Sequence, residues 1–281
     1  MSSVLFDAPG PRALRRQRTA SIITVVVLAA LAVVVLWKLQ VEGQLSGEMW
    51  EVFVTPAYMQ ALLEGALITL RVAAVAIVLS IVFGAVFAVG RLSERGWVRW
   101  PSTLVVEFFR AVPLLMLILA VYLVYGDVLG KFWSLVLGLV LYNGSVLAEV
   151  FRAGVLAVPR GQSEAAYAIG LRRGQVMRIV LLPQAARIML PAIISQSVVA
   201  LKDSSLGFII PFEELVKTGQ QIALEFGNYL PTGIVLAALF IIVNYSLSRL
   251  AVWVEARLSR NTTAGPPVGG PGVAPGGGAG A

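Results

Sequence analysis

The sequence predicts an all-α membrane protein, and three observations carry that prediction. Apolar residues make up 58% of the 281 and charged residues only 13%, against about 25% charged in soluble domains. Six windows are apolar enough to be read against the ~20 residues that cross a bilayer: 21–37, 62–89, 104–125, 132–150, 188–210 and 232–254. The basic residues then fall on alternate sides of these windows. With the N-terminus inside, that side receives Arg12, Arg15, Arg16, Arg18, Arg91, Arg95, Arg99, Arg152, Arg160, Arg172, Arg173, Arg178, Arg187, Arg249, Arg257 and Arg260. The outside receives Lys38, Lys131 and Lys217, while Arg71, Arg110 and Lys202 lie within apolar segments. Cytoplasmic loops are enriched in Lys and Arg, so both termini are expected in the cytoplasm.

Each window has its own justification. The first follows four arginines, exceeds the usual apolar stretch of a signal peptide and lacks a small-x-small site after Trp37. It is expected to be an uncleaved signal anchor. In the second, Glu64 and Arg71 are seven apart and share one helix face across two turns. The third carries Arg110 with Glu107 three residues before it, and the fourth ends in Glu149 and Arg152 at the same spacing. Both spacings allow ion pairs on one helix. A charge at mid-membrane costs ~2.5–3.5 kcal/mol and so faces a partner or a water-filled path. Near the boundary, long side chains can instead snorkel to headgroups. The fifth window is the weakest, because Lys202 and Asp203 interrupt it. The stretch 188–201 covers only ~21 Å and cannot cross a ~30 Å core. The chain therefore passes these charges at depth or breaks there against a protected cavity. Ser204, Ser205 and Gly207 favour the break. Asp203 either lines a site or is neutralised by Lys202 in a structural pair.

After the sixth window, residues 261–281 hold eight Gly and four Pro without a charge. Such a segment cannot bury apolar surface and is expected to be a disordered extension without assigned function. The expected organisation is a cytoplasmic N-terminus (1–20), an N-terminal membrane helix with an external loop (21–59), a membrane core (60–255) and the tail (256–281).

Composition also excludes chemistry. The chain has no Cys and no His, which removes disulfides, thiolate nucleophiles, imidazole bases and the usual zinc ligands. A membrane enzyme would need a convergent nucleophile and base or a metal site, and the carboxylates are spread over several elements. No G-x-x-x-x-G-K-[ST] phosphate loop is present. The formal charge of +7 follows membrane topology and calls for no nucleic acid.

One polar island stands between the apolar runs: Glu164-Ala-Ala-Tyr-Ala-Ile-Gly-Leu-Arg-Arg-Gly-Gln-Val-Met-Arg-Ile-Val-Leu-Leu-Pro183. Glu164 is expected in the first turn of a short helix, at the positive end of its dipole. Ala165 and Ala166 are strong helix formers with little bulk, Gly170 can end the helix in a left-handed conformation, and Pro183 is expected to stop the next helix. The island resembles the coupling loop of ABC importer permeases, with Glu164, Ala165, Ala166, Gly170, Leu182 and Pro183 in register and Val180 where the family has Ile. The segments 107–115, 148–162 and Leu201-Lys-Asp-Ser-Ser-Leu206 further resemble the polar amino acid branch of that family, with Ala111, Val112 and Ser204 as departures. Residues 4–11 are similar to glutamate permeases of high-GC Gram-positive bacteria.

The resemblance implies the type I ABC importer transmembrane fold, five core helices plus one N-terminal helix, in a bacterial cell membrane. It implies a coupling loop within 152–187 that receives force from a dimer of ATPase subunits, which would carry the ATP and Mg; this chain would bind no cofactor. A second permease subunit and an extracytoplasmic amino acid binding protein would complete the importer. A central pocket is implied, with Arg152 taking the substrate α-carboxylate and Asp203 its α-ammonium. Lys202, Ser204, Arg110 and Arg71 are further candidates along the substrate path. An acidic cargo needs a second cation, for which Arg71, Arg110 and Lys202 are available; Arg110 has the planar fork suited to a carboxylate. Glutamate is the expected cargo. Glutamine or a basic amino acid is the alternative, and a membrane-embedded enzyme or a channel is the rival from another class.

Overall fold

The computed structural model describes residues 10–260; the expected disordered stretch 261–281, and all of the 4–11 similarity before residue 10, lie outside them. The described chain is helical throughout, in the order α1 (Pro11–Val41), α2 (Glu48–Glu51), α3 (Pro56–Arg91), α4 (Gly96–Ala111), α5 (Leu114–Leu156), α6 (Arg160–Ala168), α7 (Arg173–Gln175), α8 (Leu182–Asp203), α9 (Leu215–Phe226) and α10 (Tyr229–Arg260). α10 thus runs through 256–260, which the sequence reading gave to the tail. Five helical stretches are long and apolar enough to cross a membrane: Arg12–Val41, Pro56–Arg91, Leu114–Leu156, Arg173–Ile209 and Tyr229–Arg249.

The third expected window maps differently from the prediction. The window 104–125 is not one helix, because α4 ends at Ala111 and α5 starts at Leu114. The cause is Pro113, which excludes its neighbour from helical geometry; Val112 is extended at φ −79°, ψ 128°. α4 is instead an amphipathic helix with Val106 buried and Trp97, Trp100, Leu104 and Phe108 exposed.

The 43 residues of α5 are two helical legs, joined at Gly130 with φ 73°, ψ 168°. The legs fold back on each other. A Cβ on Gly138 would lie 3.0 Å from the Cα of Ile118, whereas twenty residues of straight helix would separate those positions by about 30 Å. Leg 114–129 and leg 131–156 are therefore two legs folded against each other rather than one straight span, the first covering only about 24 Å.

The chain forms two compact units. The first holds the described residues up to Gly65 together with Leu215–Ala238. Within it, Asn228 is fully buried, donates Nδ2 to the Met49 carbonyl (3.0 Å) and accepts from Thr232 Oγ1 (3.1 Å). Gln44 Nε2 donates to the Gly227 carbonyl at 3.0 Å. α1 is exposed along nearly its whole length, as befits an apolar helix that meets lipid.

The second unit comprises Ala66–Glu214 and the residues from Leu239 onward. Its core has two clusters. Val72, Ala76, Ile118, Leu135, Val136, Leu139, Val140 and Ile210 form one. Ala88, Leu147, Phe151, Val155, Val158, Ala185 and Met189 form the other, joining α3, α5 and α8. Helices in membranes gain little from apolar burial against each other and depend on close packing of small residues. Gly84 supplies it here: an added Cβ would sit 2.8 Å from Leu147 Cβ and 3.0 Å from the Gly144 carbonyl oxygen.

Candidate coupling loop and intramembrane polar sites

The polar island folds as a nine-residue helix with a defined stop. α6 follows Pro159, and Gly170 closes it at φ +84°. The Gly170 N–H donates to the Tyr167 carbonyl (2.9 Å) and the Leu171 N–H to the Ala166 carbonyl (3.2 Å), which is the Schellman arrangement that satisfies terminal carbonyls. Glu164 is the fifth helical residue, in the second turn, so the expected dipole contact of the first turn is not made. Glu164 and Ala165 are exposed, and Ala166 is buried against the rest of the loop. Two exposed apolar side chains flank the stop, Tyr167 (49% exposed) and Ile169 (78% exposed). The sequence reading passed over them because side chains between the matched positions carry no signature of their own.

Pro183 does not stop a helix. Helical backbone continues from Arg173 through α8, and residues Val176–Leu181 form a π-helical segment just ahead of the proline. Pro183 lies in the first turn of α8, directly after the π-helical segment. Gln184 Nε2 donates to the Val180 carbonyl (3.0 Å) and to Gln162 Oε1 of α6 (3.3 Å), so α6 is tied back to α8. Leu182 and Pro183 are both exposed.

Deeper in the second unit, α5 and α8 share a polar cluster. Asn143, 1% exposed, donates Nδ2 to Asp203 Oδ2 at 3.4 Å and accepts from Gln196 Nε2 at 2.6 Å. It also donates Nδ2 to the Leu139 carbonyl. The chain breaks immediately after Asp203, where the 3₁₀ turns Ser204–Ile209 replace the α-helix. Of the two alternatives the short apolar run left open, this is the break. Lys202 is exposed and forms no ion pair with Asp203 among the described residues. Ser204 is fully buried and donates Oγ to the Leu201 carbonyl at 2.7 Å. Its hydroxyl bonds back to the end of α8. Asn143 and Gln196 were missed in the sequence because single amides in apolar runs carry no spacing.

The two i, i+3 pairs form as expected. Arg152 grips Glu149 bidentately, with Nε at 3.1 Å and Nη2 at 2.6 Å, and Arg110 lies 3.6 Å from Glu107. A third arginine joins them. Arg91, whose side chain is 9% exposed, lies 3.1 Å from Glu107 and 2.9 Å from Glu149. Arg152 and Asp203 are not brought together: Arg152 is nine residues beyond Asn143 on α5, about 13 Å along the axis. Arg71 is exposed on α3 and has no ion pair among the described residues.

The pattern of the family described as binding-protein-dependent transport system inner membrane component matches residues 76–260. The chain belongs to that family. It is 40% identical to the glutamate transport system permease protein GluD of Corynebacterium glutamicum over 223 residues, 77% of this chain and 82% of that one. It is 30% identical to the glutamate/aspartate import permease protein GltK of Escherichia coli O6:H1 over 207 residues, 70% of this chain and 92% of the relative. A crystal structure of an amino acid ABC transporter with histidines matches at TM-score 0.67 and 27% identity, covering 72% of this chain and 95% of that one. The fold is that of type I ABC importer transmembrane subunits, and the permease is a multi-pass membrane protein.

Proposed function

We propose that this permease forms the membrane path of an ATP-driven importer for a polar amino acid, with glutamate as cargo. The observation that carries the mechanism is the short helix α6 with its Gly170 stop, an exposed small-residue helix set between two membrane passes. It offers Glu164, Ala165, Ala166, Tyr167 and Ile169 to a partner ATPase dimer, which handles ATP and Mg; Gly170 sets the turn, and Leu182 and Pro183 sit at the base of α8. A binding protein outside delivers the amino acid, and a second permease subunit completes the path. Both termini lie in the cytoplasm, in keeping with the distribution of arginines.

The cargo reading rests on the relatives named for glutamate transport and for glutamate/aspartate import and on the polar cluster. Asp203, held by Asn143 Nδ2, supplies a carboxylate for the α-ammonium, and Gln196, which gives one N–H of its Nε2 to Asn143, has the second to offer the α-carboxylate. Arg152 would have to leave Glu149 to reach cargo, as it could in another state of the transport cycle. Lys202, Arg110 and Arg71 are the cations available to a side-chain carboxylate. Transport alternates by rigid-body motion of helix groups around such a central site.

The test is uptake of labelled glutamate into vesicles holding the permease pair, the ATPase and the binding protein. Uptake that requires ATP and is competed by unlabelled glutamate supports the reading. Competition by arginine but not glutamate removes the acidic cargo and leaves the importer assignment in place.

A further inference from the structure

The turn that follows α3 is held from two directions. On one side, Arg91 at the end of α3 binds Glu107 of α4 at 3.1 Å and Glu149 of α5 at 2.9 Å. Its side chain is 9% exposed, while Glu149 is 27% exposed and further engaged by Arg152. On the other side, Arg173, the first residue of α7 beyond the coupling helix, pairs with Glu94. Its Nη2 also donates to the Leu92 carbonyl at 3.4 Å. Four consecutive residues, 91–94, thus receive the exit of the coupling loop and clamp the inner ends of two further helices.

The covalent route from α6 into α8 is the obvious line of force, but it runs through the π-helical segment Val176–Leu181. Such segments interrupt the regular hydrogen-bond ladder and mark places where helices change register. Along the chain a displacement of α6 need not reach α8 intact, which leaves the single hydrogen bond from Gln184 to Gln162 (3.3 Å) as the direct tie between them among the described residues. Arg173 precedes that segment, so its grip on Leu92 and Glu94 bypasses it. The pair itself is half-exposed, with side chains 46% and 77% accessible, and exposed pairs contribute little to stability. Its placement is therefore better explained by positioning than by stability.

We propose that Arg173 and Glu94, backed by Arg91, form a second mechanical connection between the coupling loop and the membrane core, carrying its movement to α3, α4 and α5. The inference rests on the coupling role of α6 proposed above. Arg173 and Glu94 are positioning residues that touch neither cargo nor nucleotide.

The test is a charge swap in the complete transporter, with cargo uptake measured per ATP hydrolysed. Arg173→Glu and Glu94→Arg should each insert into the membrane and keep wild-type thermal stability while lowering that ratio about fivefold, the scale of losing and reversing one exposed pair. The double swap should recover at least half of the loss, a pattern that independent sites do not produce. Arg91→Lys keeps the charge but not the two-carboxylate fork, and should lower the ratio without lowering ATP hydrolysis. Single swaps at the wild-type ratio, or a double swap no better than the singles, would overturn the connection. If Gly170→Val uncouples transport while Arg173→Glu does not, the coupling reading stands and this one falls. If wild-type uptake ignores ATP, both fall.

Discussion

At the scale of single residues, the sharpest commitments are Gly170 and Asp203. Gly170 sits at φ +84° with no neighbour within 4 Å of an added Cβ, so a substitution there is opposed by backbone geometry alone. A left-handed conformation costs an L-residue ~1–2 kcal/mol, and more when the side chain is β-branched. Gly170→Val should insert normally and separate ATP hydrolysis from uptake; Gly170→Asn, which tolerates that geometry, should retain coupling. Transport by the valine variant at the wild-type rate would contradict the assignment. Asp203→Asn keeps an acceptor for Asn143 Nδ2 and removes only the charge. Loss of one charged hydrogen bond to an ammonium, ~1.5–3 kcal/mol, should lower uptake by roughly ten- to a hundredfold while leaving the protein folded. Undiminished uptake would place the cargo elsewhere. Glu164, Gly170 and Asp203 could be singled out from sequence because fixed spacing or a charge in an apolar run exposes them. Asn143, Gln196 and Arg91 could not, since their significance arises only from which helices the fold brings together.

At the scale of elements, apolar windows located the membrane passes but not their ends. The third window runs through Pro113 because hydropathy outweighs the proline, yet the proline forces Val112 out of helical geometry. The Pro183 error ran the other way. Pro183, expected as a stop, sits in the first turn of α8, and no pattern in 176–181 announces a π segment. The hairpin within α5 gives an element-scale prediction. Gly138→Leu drives a side chain into Ile118, whose Cγ1 and Cα lie 2.9 and 3.0 Å from an added Cβ. Overpacking of this kind costs ~1–3 kcal/mol, so the variant should show a lower unfolding temperature in detergent. Gly96→Leu, with open space around its Cβ, should not.

At the scale of the whole molecule, orientation and energy source are the two claims that matter. The chain lacks cysteine, so single cysteines report topology without background. One at Gly161 should react only with reagents that enter the cytoplasm, and one at Gly47 should react from outside; both positions have open space around an added Cβ. Reversed labelling would refute the orientation drawn from the arginines. The family and the fold were legible in one twenty-residue island and six apolar windows, because an importer's coupling loop must be polar, helical and glycine-stopped between two passes. The cargo was not legible to the same degree, because the proposed site draws on amides and charges from separate helices. The central claim is that this chain moves cargo only with energy delivered at its coupling loop. The measurement that tests it most directly is glutamate uptake into sealed vesicles of the complete transporter, with ATP or a non-hydrolysable analogue supplied on the cytoplasmic side. Accumulation against a gradient with ATP alone is the predicted result, and equal uptake with the analogue would contradict it.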